Sequence, residues 1–140
     1  MKRIFFFINI WHNLCIFKAV KFLKQSTYYT MGKFIVSTRK NGEIQFNLAA
    51  GNGQVILTSE GYTTKAACPN GVESVRKNSK DDNRFEKYTT ESGAFRFRLK
   101  ATNGQIIGSS ENYTTQAACD NGVESVKKNA PDATLVDETE

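Results

Sequence analysis

Histidine is almost missing from this chain. The one present is His12, and none follows it. A cysteine nucleophile that borrows an imidazole base is therefore unavailable to the rest of the sequence. Cysteine is scarce too, at Cys15, Cys68 and Cys119. Two body thiols without a histidine fall short of a zinc site. Proline occurs twice, at Pro69 and Pro131. No phosphate loop or dinucleotide fingerprint is present, so the Asn-Gly pairs at 41–42, 52–53 and 103–104 read as turn chemistry. Acidic residues are absent from positions 1–30, where Lys2, Arg3, Lys18, Lys21 and Lys24 account for the whole formal charge of +5. From Met31 onward 14 basic side chains meet 14 acidic ones. The body is neutral, and the basic whole-chain balance says nothing about its partners.

The first thirty residues share no composition with the rest. They hold the single tryptophan, Trp11, and half of the aromatics. As a signal peptide the segment is interrupted by Asn9, His12 and Asn13 and lacks a small-x-small cleavage site. As a membrane span, Ile4–Phe17 is shorter than the ~20 apolar residues a bilayer needs, and lengthening it buries Lys18 and Lys21. The composition favours an upstream or leader segment outside the fold, with Met31 as the start. A membrane-associated leader is the alternative, and a packed helix the third reading.

What is present is a repeat. Asn52–Asn78 (NGQVILTSEGYTTKAACPNGVESVRKN) returns at Asn103–Asn129 (NGQIIGSSENYTTQAACDNGVESVKKN), offset by 51 positions without a gap. Between 34–79 and 85–130, 26 of 46 pairs are identical, so the repeat governs the architecture. In the first unit Gly32–Arg39 is β-branched and aromatic and ends at Asn41-Gly42, a strong hairpin signal. Glu43–Ala49 alternates Ile44, Phe46 and Leu48 against Gln45, Asn47 and Ala49, as a half-buried strand does. After a turn at 51–53, Gln54–Ser59 is a third strand.

The period then changes. Thr63 or Thr64 is the expected N-cap of a helix running to about Asn78. Cys68, Gly71, Val72 and Val75 form its narrow apolar stripe. Gly71 recurs as Gly122, which points to close approach of helix and sheet. Pro69 removes a helical hydrogen bond and predicts a bend or loose first turn in the first helix only. The second unit repeats the plan with strands at 84–90, 94–100 and 105–110, a helix at 114–129 and a short strand at 134–137. The strand at 84–90 serves both halves. The expected fold is α+β: two tandem β-β-β-α-β repeats, at 31–81 and 82–140, merged into one antiparallel sheet. Two helices cover one face, and a pseudo-twofold axis relates the halves within one compact domain, 31–137.

The doubled string NG-Q-x-I-x-x-S-E-x-Y followed by NGVESV-x-KN resembles the YegP-like family of small bacterial proteins, over about residues 32–137. That resemblance implies β3-α-β units that share a sheet and exchange their last strands. It supplies no catalytic or ligand residue to carry over. The cysteines at 68 and 119, Pro69 and the leader are departures from the family pattern.

Three candidate sites remain. Cys68 and Cys119 lie on the inward helix stripes, where a reduced thiol packs as a small hydrophobe. They could pair only if their Cα atoms came within about 7 Å. Glu60 with Tyr62, and Glu111 with Tyr113, place a carboxylate and a phenol beside each helix start. They could hold a ligand or a proton; alternatively the glutamate caps the helix and the tyrosine packs with its hydroxyl bonded. Arg96, Arg98 and Lys100 alternate along one strand as a basic row without interleaved aromatics. Their counterparts are Gln45, Asn47 and Ala49.

The expectation is a non-enzymatic bacterial, cytoplasmic binding module with no cofactor and no metal. Its partner would be a protein or small ligand. Weak binding of nucleic acid or an acidic partner through the basic row is the alternative. No membrane association is expected for 31–140. The internal pseudo-dimer implies a monomer, with a homodimer as the other arrangement.

Overall fold

The structure, a computed structural model, describes residues Met31–Thr139. The expectations for residues 1–30 lie outside the described residues. Strands β1 (Lys33–Thr38), β2 (Ile44–Ala49) and β3 (Val55–Ser59) lead through a 3-10 turn (Lys65–Ala67) into helix α1 (Cys68–Asn78). A second 3-10 turn (Asp82–Arg84) opens β4 (Phe85–Thr89). Then follow β5 (Phe95–Lys100), β6 (Ile106–Ser109), α2 (Gln116–Asn129) and β7 (Thr134–Asp137).

The turns that set the register share one construction. Gly42, Gly53, Gly93 and Gly104 have φ of 83–87°, and no other described residue has a positive φ. In the first turn the Gly42 amide donates to the Arg39 carbonyl and the Arg39 amide to that of Glu43. Such a tight turn closes with a residue in the left-handed region, where only glycine sits without strain. Asn41, Asn52 and Asn103 add a side-chain oxygen that accepts the amide two residues on.

All seven strands join one sheet in the order β4-β5-β6-β3-β2-β1-β7. The halves meet at β3–β6, where Thr58 pairs with Ser109 and Ser59 with Gly108. From that seam the equivalent strands run outward in the same sequence on either side. Each post-helix strand crosses to the other half: β4, after α1, lies beside β5, and β7, after α2, lies beside β1. This is the expected strand exchange. Five of the six pairings are antiparallel, and β7 runs parallel to β1. A tight hairpin forces antiparallel neighbours, whereas a strand arriving by a helical crossover can enter parallel.

Both helices sit on the face that carries Phe46 and Phe97, which reach Gly71 and Gly122 respectively. Their buried positions are Cys68, Gly71, Val72, Val75 and Asn78, and the equivalents Cys119, Gly122, Val123, Val126 and Asn129. Phe34, Phe46, Leu48, Leu57, Phe97 and Leu99 complete a single core at 0% exposure. Pro69 acts where expected. Residues 65–67 form a 3-10 turn and α1 begins at Cys68, while α2 starts at Gln116 and holds its α geometry throughout. Thr115, the counterpart of Thr64, accepts the Ala118 amide at 3.1 Å, and Thr64 makes no such bond.

Candidate functional site

The glutamate–tyrosine pairs are split by the fold. Tyr62 is fixed to the start of β2 by two backbone bonds with Ile44, of 2.7 and 2.8 Å. Its ring stacks on Phe46 with centroids 6.2 Å apart and faces Gly71 of α1. Tyr113 repeats this with Phe95, Phe97 and Gly122. Glu60 and Glu111 are exposed. Their backbone carbonyls accept from Ser59 Oγ and Ser110 Oγ at 2.8 and 2.9 Å. Neither carboxylate caps a helix, since Thr115 holds that place in the second half and the first has no side-chain cap.

Burial pushes the Tyr62 and Tyr113 phenols up from their ordinary value, with the neighbouring thiol and glutamate adding in the same direction. A phenol so placed stays protonated at neutral pH and packs as an aromatic. Burial likewise pushes up the Cys68 and Cys119 thiols, which are free and enclosed. A thiol with its thiolate suppressed is a poor nucleophile.

The residues that order this region are Ser59 and Ser110, which the sequence reading passed over. Each is at most 3% exposed. Ser59 Oγ accepts the Phe46 amide at 2.9 Å and Ser110 Oγ that of Phe97 at 3.0 Å. Their carbonyls are held by guanidinium groups from non-equivalent positions. Arg96 donates from Nε and Nη2 to Ser110, at 3.0 and 2.7 Å. Arg39 donates from Nη2 to Ser59 at 3.0 Å and from Nε to Gln45 at 2.6 Å. Identity of Ser59 and Ser110 across the repeat was the available signal. The arginines left none, because Arg39 aligns with Thr90 and Arg96 with Gln45.

The basic row faces away from the helices and is partly neutralised. Glu86 lies 3.1 Å from Lys100 and 3.9 Å from Arg98. Arg98 rests over the Tyr88 ring at 4.2 Å. That aromatic belongs to the neighbouring strand β4, so the reading of β5 alone did not see it. Across this face the registers align Val136, Ile35, Asn47, Thr58, Ser109, Arg98 and Glu86. All but exposed Glu86 are half-buried, and no described element covers them. Among the described residues no group of three metal-ligating side chains converges, and no helix is long and apolar enough to cross a membrane.

Comparison with known proteins matches this arrangement. The family described as "Domain of unknown function (DUF1508)" matches residues 40–86 and again 91–137, two windows separated by the 51-residue repeat. The "UPF0339 protein in ptx operon 5'region" of Stutzerimonas stutzeri is 50% identical over 106 residues, covering 76% of this chain and 96% of that protein. UPF0339 protein YegP of Escherichia coli O157:H7 is 47% identical over 108 residues, covering 77% and 98%. The solution NMR structure of yegP from E. coli, a protein of unknown function, superposes with a TM-score of 0.75 at 45% identity, covering 79% of this chain and 95% of that one. UPF0339 protein SO3888 from Shewanella oneidensis, also solved by NMR, gives a TM-score of 0.73 at 45% identity, covering 77% and 92%. With both repeats matched and the fold shared, the chain belongs to the DUF1508 (UPF0339) family and carries its domain twice in tandem.

Proposed function

We propose that the protein is a non-enzymatic interaction module of the bacterial cytoplasm, and that its working surface is the uncovered face of the sheet. One observation carries this reading. A polar row from Asn47 through Thr58 and Ser109 to Arg98 crosses both halves with no described element over it. Short side chains at the centre leave a flat surface on which a partner can lie, and Arg98 and Ile35 border it. The repeated titratable groups support the same reading, because Cys68, Cys119, Tyr62 and Tyr113 are turned into the core and held protonated.

The test uses the full chain as bait, beside a Thr58→Arg, Ser109→Arg variant that disrupts the face and a Lys128→Glu variant on the exposed side of α2. Proteins captured by wild type and Lys128→Glu, and lost with the face variant, are the expected result. Equal capture by all three, or turnover of any compound in a substrate panel, overturns the reading.

A second reading is an acidic partner on the β5 side of this face. Arg96, Arg98 and Lys100 stand there against the carboxylate of Glu86, with that of Glu60 also acting on Arg98. An acidic protein suits this better than nucleic acid, because Arg96 is committed to Ser110 and the remaining excess of charge is small. Binding of RNA, DNA and an acidic peptide at two salt concentrations separates these. Retained affinity in Arg96→Glu, Arg98→Glu removes the basic row from consideration.

A further inference from the structure

The sheet is one strand short of its own symmetry. In the first half, β1 is flanked on its outer side by β7, which runs parallel to it with Leu135 opposite Phe34 and Asp137 opposite Val36. The second half presents β4 in the place of β1, since Phe85 is the counterpart of Phe34 and Lys87 of Val36. β4 is also the strand that follows α1, so one segment fills two roles, and among the described residues no strand lies outside it.

The vacancy is chemical as well as topological. Phe97 uses both its backbone groups toward β6, donating to Ser110 Oγ and accepting from the Ser110 amide. Its antiparallel partner Lys87 therefore points its N–H and C=O away from β5, as Thr89 does by alternation, and Phe85 adds its C=O, its amide being bonded to the Asp82 carbonyl in the turn before β4. On β1 the equivalent outward groups are in use: Gly32 C=O accepts from Thr134 and Val36 C=O from Glu138, at 3.2 and 2.8 Å. Side chains tell the same story. Phe34 is fully enclosed, beneath the Arg76 guanidinium, whereas Phe85 is half-buried.

We infer that the outer edge of β4 is a docking site for an extended segment of a partner protein, added as an eighth strand parallel to β4. The first half prescribes its chemistry. The residue opposite Phe85 is apolar, as Leu135 is opposite Phe34, and covers the open side of that ring. The residue opposite Lys87 is acidic, as Asp137 is opposite Val36. In the first half that acid meets Lys65 Nζ at 2.6 Å, whereas on β4 it meets the ammonium of Lys87, which now rests on Asp120 at 2.6 Å. Backbone bonds to the edge provide affinity, and these two side chains provide selection. A second copy joined through antiparallel β4 strands is disfavoured. Outward groups at 85, 87 and 89 would centre such a pair on Lys87, opposing two like charges.

The probe is a blocked synthetic peptide copying Asp132–Glu138, titrated into the isotope-labelled full chain. Expected are saturable shifts across β4 and slowed hydrogen exchange at the amides of Lys87 and Thr89. Binding should weaken at least tenfold in a peptide N-methylated at the residues matching Thr134 and Glu138, whose amides donate in the first half. A peptide with lysine in place of the residue matching Asp137 should bind more weakly as well. Absence of saturable shifts at millimolar peptide overturns the proposal. So do shifts confined to Phe34–Val36, which would mark exchange with β7, and so does equal binding of the N-methylated peptide. Loss of capture on the open face would leave these outcomes unchanged, so the two readings fail separately.

Discussion

Gly71 lies so close to Tyr62 that a side chain there has nowhere to go. A Cβ built on Gly71 would come within 2.7 Å of the tyrosine Cζ and 2.9 Å of Phe46 Cε1. Alanine ordinarily stabilises a helix interior by about 1 kcal/mol over glycine. Here the ring cannot withdraw, because Tyr62 is pinned at both backbone groups and stacked on Phe46. Overpacking of this kind costs about 1–3 kcal/mol, so the clash wins. Gly71→Ala and Gly122→Ala should each lower stability in urea denaturation, and Tyr62→Phe should recover part of the first loss. A stabilised Gly71→Ala would refute the close-approach account.

Ser59 and Ser110 carry a comparable load through hydrogen bonds. Each hydroxyl accepts a buried amide of a core phenylalanine and donates to the following glutamate carbonyl. Alanine would leave the amide without a partner and without water. That costs about 1–3 kcal/mol. Ser59→Ala and Ser110→Ala should each destabilise by such an amount, and the double variant should be close to additive because the two sites share no partner. Amide exchange at Phe46 and Phe97 should quicken in the corresponding variant. Unchanged exchange would show that the backbone found another acceptor.

Much of this was legible because the pattern was local. Alternation in β2 and β5 placed Phe46, Leu48, Phe97 and Leu99 inside, the 3.6-residue stripe placed Cys68, Val72 and Val75, and Pro69 announced its 3-10 turn. Phe85 illustrates the limit. It stands at the repeat position of Phe34, yet it is half-buried, because burial at an edge depends on whether a strand arrives from elsewhere in the chain. The parallel entry of β7 was hidden for the same reason. Glu60 and Glu111 looked like caps from spacing, but Tyr62 and Tyr113 are drawn inward while the glutamates face water. The guanidinium bonds of Arg39 and Arg96 follow from strand register, which neither residue's neighbours reveal.

Acid should loosen the β7 edge. Lys65 and the hydroxyl and amide of Thr139 hold the Asp137 carboxyl well below the ordinary carboxylate range, and Lys87 and Gln116 lower Asp120 in the same way. A carboxyl with a depressed folded-state value contributes stability above its unfolded value near 4, and loses it as pH falls toward the folded value. Stability should therefore decline below about pH 4, and Lys65→Met should flatten part of that decline while changing little at high salt. An identical acid profile in Lys65→Met would remove Asp137 from the explanation.

The two halves should unfold together, and the seam shows why. Leu57 lies across the β3–β6 junction with its Cγ 2.9 Å from where a Cβ on Gly108 would stand. Gly108 is the counterpart of Leu57, so the repeat broke its own symmetry where two leucines could not fit. Only two residue pairs join β3 to β6, and the remaining cohesion is side chains of both halves in one core. The helix stripes are cysteine, glycine and valine, which bury little area. At ~25 cal/mol per Å² neither half alone offsets the chain entropy of its residues. Phe46→Ala and Phe97→Ala should each cost about 3–5 kcal/mol and Leu57→Ala about 2–5 kcal/mol. Each should lower one shared calorimetric transition of the full chain. Gly108→Leu should destabilise both halves at once, since Leu57 has no vacant space to enter. Two separable transitions in any of these variants would mean that the seam does not couple the repeats.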